Sequence, residues 1–382
     1  MNYFVKHSPH SNDKYTIGWI SALKDELMVA MAMLDEEHGR PQDIPYGDTN
    51  AYYLGRIGDH NVVMACLTGG RMGTAPAAVV AENMRRTFKN IRFSLVVGIG
   101  GGVPSSGEDI RLGDVVVSYP NRSYTGIVQY DYGKLESDGV IERKDWFRMP
   151  PQKLLAAVDL LKAYHYRPKN PINDMPDILK KLGADYAFPD EQKTPDRLFH
   201  ADYNHDPKAE TCDTCDTKKL VLRRARSHPY KPQIHHGIIA SGGMVVKNGL
   251  ERDKINRRYE NSILCFEMEA AGLMNNFECL VVRGISDYCD SHKNDEWRKR
   301  AIAVAAAYTK ELLCMIEPAE CEILPPISPR LTILHRLPFP PSISANLFIF
   351  SFFSLLLLLT YPLKHWDVYC TCSVVDKLIS DH

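Results

Sequence analysis

Nowhere in this 382-residue chain does G-x-x-x-x-G-K-[ST] occur, so the phosphate-cradling P-loop is excluded. Charge of either sign is not in excess: Lys and Arg total 46 and Asp and Glu 47, a net charge of −1. That balance offers no bulk electrostatic attraction to nucleic acid or to an acidic lipid surface. Ten cysteines are present without a framework spacing. The first residues, MNYFVKHSPHSNDKYT, lack the apolar centre of a secretory signal. Free thiols and a cytoplasmic, reducing compartment are therefore expected. No internal repeat is visible.

Apolar residues make up 45% of the chain, enough for a folded core. Residues 1–14 read as a loose polar arm. Short runs rich in β-formers follow at Tyr15–Ser21, Asn61–Leu67, Phe93–Val97, Asp114–Tyr119, His236–Ala240 and Cys279–Ile285, each read as a buried strand. Helical periodicity falls between them, at Ala22–Leu34, Ala75–Phe88, Gln152–Tyr164 and about Glu296–Met315. This alternation predicts one α/β domain over residues 15–318, with a central mixed sheet flanked by helices. The polar stretch at about 150–232 reads as a surface insertion rather than a second domain.

Residues 319–382 form a tail of different character. Residues 347–363, LFIFSFFSLLLLLTYPL, carry no charge. As a helix they would reach roughly 25 Å, slightly less than a ~30 Å hydrocarbon core. Two readings stand for this segment, a C-terminal membrane anchor or a tail without function. A membrane partner is expected only under the first.

In open α/β sheets ligands collect at the carboxyl ends of strands, which gives three stretches interest. The third strand runs into Gly98, Gly100, Gly101 and Gly102. The last strand runs into GISDYCD, with Asp287 just past it. The stretch FEMEAAG, Phe266 to Gly272, sets Glu267 and Glu269 after an apolar run and at the head of an expected helix. Ionised carboxylates are costly in apolar surroundings unless something binds them. Each also has a bland reading: the glutamates as cap or dipole neighbours, Asp287 as an N-cap. The glycine run is no dinucleotide fingerprint, because Val103 stands where the last glycine belongs. CDTC, Cys212 to Cys215, has metal-ligand spacing, with His200 and His205 upstream. One such pair alone is weak evidence for zinc, so an ordinary surface loop is expected and no metal is assigned.

FEMEAAG followed by VVRGISDYCD, with GWISALKDEL, LVVGIGGGV and RLGDVVVS in the same order, resembles the nucleoside phosphorylase superfamily, most closely the fungal form of its domain. The resemblance covers about Tyr15 to Met315. It implies cleavage of an N-glycosidic bond, a small-molecule nucleoside or nucleotide as ligand, no cofactor, and at least a dimer. It implies that Glu269 binds the ribose hydroxyls, that Met268 packs on the sugar, and that Asp287 protonates the purine. Glu26, one turn into the first helix, is then the general base toward water. Glu267, Gly98, Gly100 and Arg71 complete the expected substrate site. Where the superfamily's phosphorylases carry phosphate-binding arginines and a hydroxyl residue, this chain has SALKDELMVA, Val96 and Ile99. Hydrolysis is therefore expected. Phosphorolysis and a nucleoside-sensing module with little turnover remain as alternatives.

Overall fold

A computed structural model describes residues 6–105, 107–135, 141–142, 147–167, 182–183, 186, 195–227, 231–274 and 277–327. Contacts divide the chain into one unit over Met1–Pro329 and another over Arg330–His382. The second unit, with the apolar segment at 347–363, lies outside the described residues. Among the described residues no helix is long and apolar enough to cross a membrane.

The strands are β1 Ile17–Ser21, β2 Glu36–Gly39, β3 Tyr52–Ile57, β4 His60–Cys66, β5 Phe93–Gly102, β6 Val115–Ser118, β7 Ile127–Gln129, β8 Lys134–Leu135, β9 Ile141–Glu142, β10 Ile234–Ser241, β11 Ile263–Glu267 and β12 Cys279–Asp287. The helices are α1 Lys24–Ala32, α2 Thr74–Thr87, α3 Gln152–His165, α4 Gly249–Arg258, α5 Arg298–Cys314 and α6 Pro318–Ile323. Apart from the β8–β9 hairpin, the strands form one mixed sheet in the order β11-β10-β6-β12-β5-β1-β4-β3-β2, with β7 on β10. The expectation of a mixed α/β domain holds.

The centre of the sheet is parallel: β4, β1, β5 and β12 run side by side. Covered on both faces, such strands read as unbroken apolar runs rather than alternating ones, and every residue of β1, β6, β11 and β12 is buried. The helix α5 lies against this centre with Ala301, Val304, Ala305 and Leu312 inward, the face that its periodicity predicts. Three strands run antiparallel to a neighbour: β3 against β2 and β4, β6 against β12, and β11 against the far end of β5. The last pairing sets Cys265 opposite Gly102 and Phe266 opposite Gly101. It closes β5, β12, β6, β10 and β11 into a ring, which leaves those strands no open edge.

Several features differ from the sequence reading, which also had no strand at β7 or β11 and no helix at α4. Strand β5 does not stop at Val97 but continues through the glycines to Gly102. Glycine disfavours strands, but here β12 and β11 supply ladder partners on both sides. Strands β2 and β3 were not expected, because EEHG and YYLGRI lack the alternation of a half-buried strand. Residues 6–14 are tied down, with a His7–Arg40 bridge and the Ser8 hydroxyl 2.7 Å from that of Tyr15. Helix α3, placed by the sequence in a surface insertion, buries Leu154, Val158 and Leu161 in the main core. The periodicity of α3 was visible, but its docking site on α5 is not local information.

Packing also runs beyond residue 318. Cys321 on α6 is 1% exposed, Arg92 donates to the Leu324 carbonyl at 2.7 Å, and the Ile327 N–H donates to the Ile91 carbonyl at 2.9 Å. A chain ending at residue 329 keeps all of these contacts. One ending at Pro318 should lose about 2 kcal/mol, from one buried side chain and two hydrogen bonds. Denaturant midpoints of the two shortened chains compare these outcomes directly.

Candidate active site

The site forms where the carboxyl ends of β5 and β12 lie beside the start of α1 and the turn after β11. Strand β12 runs in register with β5, Arg283 opposite Gly98 and Asp287 opposite Gly101, with a bulge between Ile285 and Asp287. A bulge re-aims the side chains that follow it. From the other side, Glu26 on α1 is 3% exposed. Its carboxylate accepts the N–H groups of Ala22 at 2.8 Å and Leu23 at 2.9 Å on one oxygen, and that of Ile99 at 2.9 Å on the other. The first two bonds cap the helix. The third fastens α1 to β5.

The glycines of β5 make room for these groups. A Cβ on Gly98 would stand 2.3 Å from Glu26 Oε1 and 2.8 Å from an Arg283 nitrogen. One on Gly100 would stand 2.3 Å from Cys265 Sγ, and one on Gly101 would stand 2.8 Å from Asp287 Oδ1. Any side chain there would displace a charged or buried group.

The guanidinium of Arg283, 1% exposed, joins the carboxylates. One nitrogen, Nη2, donates to Glu267 and, at 3.2 Å, to Glu269. The other, Nη1, donates to the Ile99 carbonyl at 3.3 Å. Glu267 is fully engaged, because it also accepts the N–H groups of Glu269 at 3.0 Å and Ala270 at 3.1 Å. These bonds shape the turn. Where the sequence predicts an apolar helix, the chain makes only a 3-10 turn over Ala270–Gly272. Gly272 presses so close to α2 that a Cβ would meet the Thr74 carbonyl at 1.9 Å. Met268 stands half-buried on the turn.

Burial pushes the Glu269 carboxyl up to about 7 against the pull of Arg283, and the neighbouring Glu267 and Glu26 add to the rise. Burial also raises Glu26, opposed by Arg283 and the three backbone donors. Three carboxylates thus share one buried guanidinium.

Asp287, 4% exposed, closes the far end of the site. It accepts from the Ser286 hydroxyl at 2.8 Å, the Cys289 N–H at 2.9 Å and the Lys293 ammonium at 2.8 Å. Burial would lower Lys293, but the Asp287 carboxylate outweighs it and holds the ammonium above its ordinary range. Arg71 is exposed, in the loop before α2. That loop reaches the site through Gly73, whose N–H pulls on the Glu269 carboxyl.

The fold therefore brings together Glu26, Glu267, Glu269, Gly98, Gly100 and Asp287, all singled out in the sequence. Arg71 stands apart on the exposed loop. Arg283 and Lys293 were missed. A lone arginine inside CLVVRGISD was the available signal, since a cation in a buried strand demands a partner.

No family model matches the chain. A curated relative, a nucleotide-binding leucine-rich repeat (NLR)-like protein of Hyaloscypha variabilis, is 43% identical over 319 residues. The match takes in 82% of this chain but only 30% of the relative's length. Among solved structures, futalosine hydrolase of Helicobacter pylori aligns with a TM-score of 0.51 at 16% identity, over 80% of this chain and 100% of that one. The 5′-methylthioadenosine/S-adenosylhomocysteine nucleosidase of Neisseria meningitidis, in complex with methylthio-immucillin-A, aligns with a TM-score of 0.51 at 17% identity, over 79% of this chain and 99% of that one. Such identities speak for the fold alone. With its mixed sheet and flanking helices, the chain shares the fold of these two solved structures.

Proposed function

We propose that this domain hydrolyses the N-glycosidic bond of a purine nucleoside or adenine nucleotide. The observation that carries the reading is the convergence of buried Glu26, Glu267 and Glu269 on one guanidinium, with Asp287 nearby on β12. Breaking an N-glycosidic bond leaves a cationic, oxocarbenium-like sugar and a base that departs with negative charge. Carboxylates exceed guanidinium at the sugar end, so a developing positive charge is stabilised there. Glu269 faces the ribose with Met268 against the sugar, and Glu267 holds the turn through its bonds to Arg283 and the backbone. Asp287 hydrogen-bonds the purine and relays to it a proton drawn from the Lys293 ammonium beside it. Glu26 orients and deprotonates the attacking water.

Water is preferred to phosphate on electrostatic grounds. A phosphate dianion needs a free arginine fork, and Arg283 is already paired with two glutamates. The added anion would also stand among like charges. Arg71 is left to meet a 5′-phosphate of a nucleotide substrate. The NLR-like name of the relative favours a second reading, a module that binds a nucleoside and signals with little turnover. The two readings part on product analysis with adenosine, methylthioadenosine, inosine, AMP and ATP. Hydrolysis releases free base in phosphate-free buffer, and added phosphate does not speed it. Dependence on phosphate, with ribose 1-phosphate as product, refutes the use of water, and tight binding without release of base supports the sensor.

Asp287→Asn should lower turnover about 10²-fold or more, measured where the variant is still fully folded. Turnover near that of the unaltered protein would remove Asp287 from the chemistry. Because Glu269 is held at about 7, it ionises only as pH rises through that value, so the rate should climb across the same interval. Glu269→Gln keeps the shape without the charge. It should show a low rate with no rise near neutrality, and a surviving rise would assign that limb to another group.

A further inference from the structure

The loop around Cys212 has no part in the proposed chemistry, yet its groups converge. A 3-10 turn at Cys212–Thr214 folds the C-x-x-C segment back on itself, with the Cys215 N–H donating to the Cys212 carbonyl at 3.2 Å. His205 comes to the same place, and the ligand atoms of His205, Cys212 and Cys215 all lie within 4.8 Å of one another. Ligands around a tetrahedral zinc ion stand roughly 3.3–3.8 Å apart, given its bond lengths of about 2.0–2.3 Å, so small side-chain turns would close the set. His205 bonds through Nε2 to the Thr211 carbonyl at 3.2 Å. A histidine held in this way by one ring nitrogen is oriented to ligate through the other.

A second observation points to the same place. His292 is 8% exposed, and neither of its ring nitrogens makes a hydrogen bond; Nδ1 stands 3.7 Å from an Asp290 oxygen. Its ring stacks on Phe199 with centroids 4.0 Å apart, and its centroid lies 5.4 Å from that of His205. A cavity of about 370 Å³ opens between these groups, lined among others by His205, Glu210, Cys212, His292 and Lys293. Buried imidazole nitrogens are ordinarily satisfied.

We propose that His205, Cys212 and Cys215 bind a zinc ion whose fourth position faces this cavity beside His292. Two thiolates and an imidazole suit zinc rather than a hard oxygen-seeking cation. Both thiols give up their protons on binding, and no redox step is involved. The ion would staple a polar stretch that has few apolar contacts of its own. It would also fix that stretch to the segment after β12, where Lys293 meets Asp287.

The test is metal content, which is read without any activity. Protein from zinc-supplemented cells, purified in reducing buffer without chelator, should carry about one zinc per chain, with two sulfurs in its X-ray absorption shell. Cys215→Ser and His205→Ala should lose most of it. If those variants fold poorly, the chelator-stripped unaltered protein gives the answer. Cobalt(II) added to it should produce a thiolate-to-cobalt charge-transfer band, which zinc then removes. Absence of both zinc and the cobalt band, or a Cys212–Cys215 disulfide as the resting state, would overturn the proposal.

Discussion

The buried guanidinium of Arg283 is what allows Glu267 and Glu269 to stand in the interior with Glu26 close by. A carboxylate taken out of water without a partner costs several kcal/mol. Here backbone N–H groups and one arginine share that cost among three acids. The compensation is incomplete, and Glu269 is held near neutrality as a result. A group left in that state responds strongly to any charge arriving beside it. A cationic sugar would be such a charge, and the incompleteness of the pairing is therefore the basis of the proposed chemistry.

Much of the surrounding architecture follows from this cluster. The far end of β5 has to be glycine because Glu26, Arg283, Cys265 and Asp287 lie over it. Bare glycines would make a poor strand on their own, so β12 on one side and β11 on the other supply the ladder. The closure of the ring by β11 also delivers FEMEAAG to the site, since Phe266 is the residue that pairs with Gly101. Strand closure, glycine choice and the placement of the acids are one arrangement seen from three sides.

The segment after β12 links the two candidate sites. Asp287 and Lys293 form an ion pair at one end of it, and His292 between them turns toward the cysteine loop. An ion bound there would restrain the lysine that faces the proposed acid. Metal and nucleoside would then be coupled through a few residues of backbone rather than through the sheet.

The sequence by itself determined the α/β class, the central strands and the main helices, because hydrophobic periodicity is a local property. It also carried Glu269 and Asp287, since acids at strand ends stand out against apolar runs, and Glu26 through the resemblance alone. Only the tertiary structure decided what those acids meet. Arg283 lies fourteen or more positions from its partners in the chain, and nothing local says that a lone arginine in an apolar strand faces them. The short turn in place of a helix after Glu269 was hidden for the same reason: the Thr74 carbonyl of α2, against which Gly272 packs, is distant in sequence. CDTC was legible as spacing, but its meeting with His205, and the presence of His292 beside them, depend on how a loop far from β12 in sequence folds back onto it.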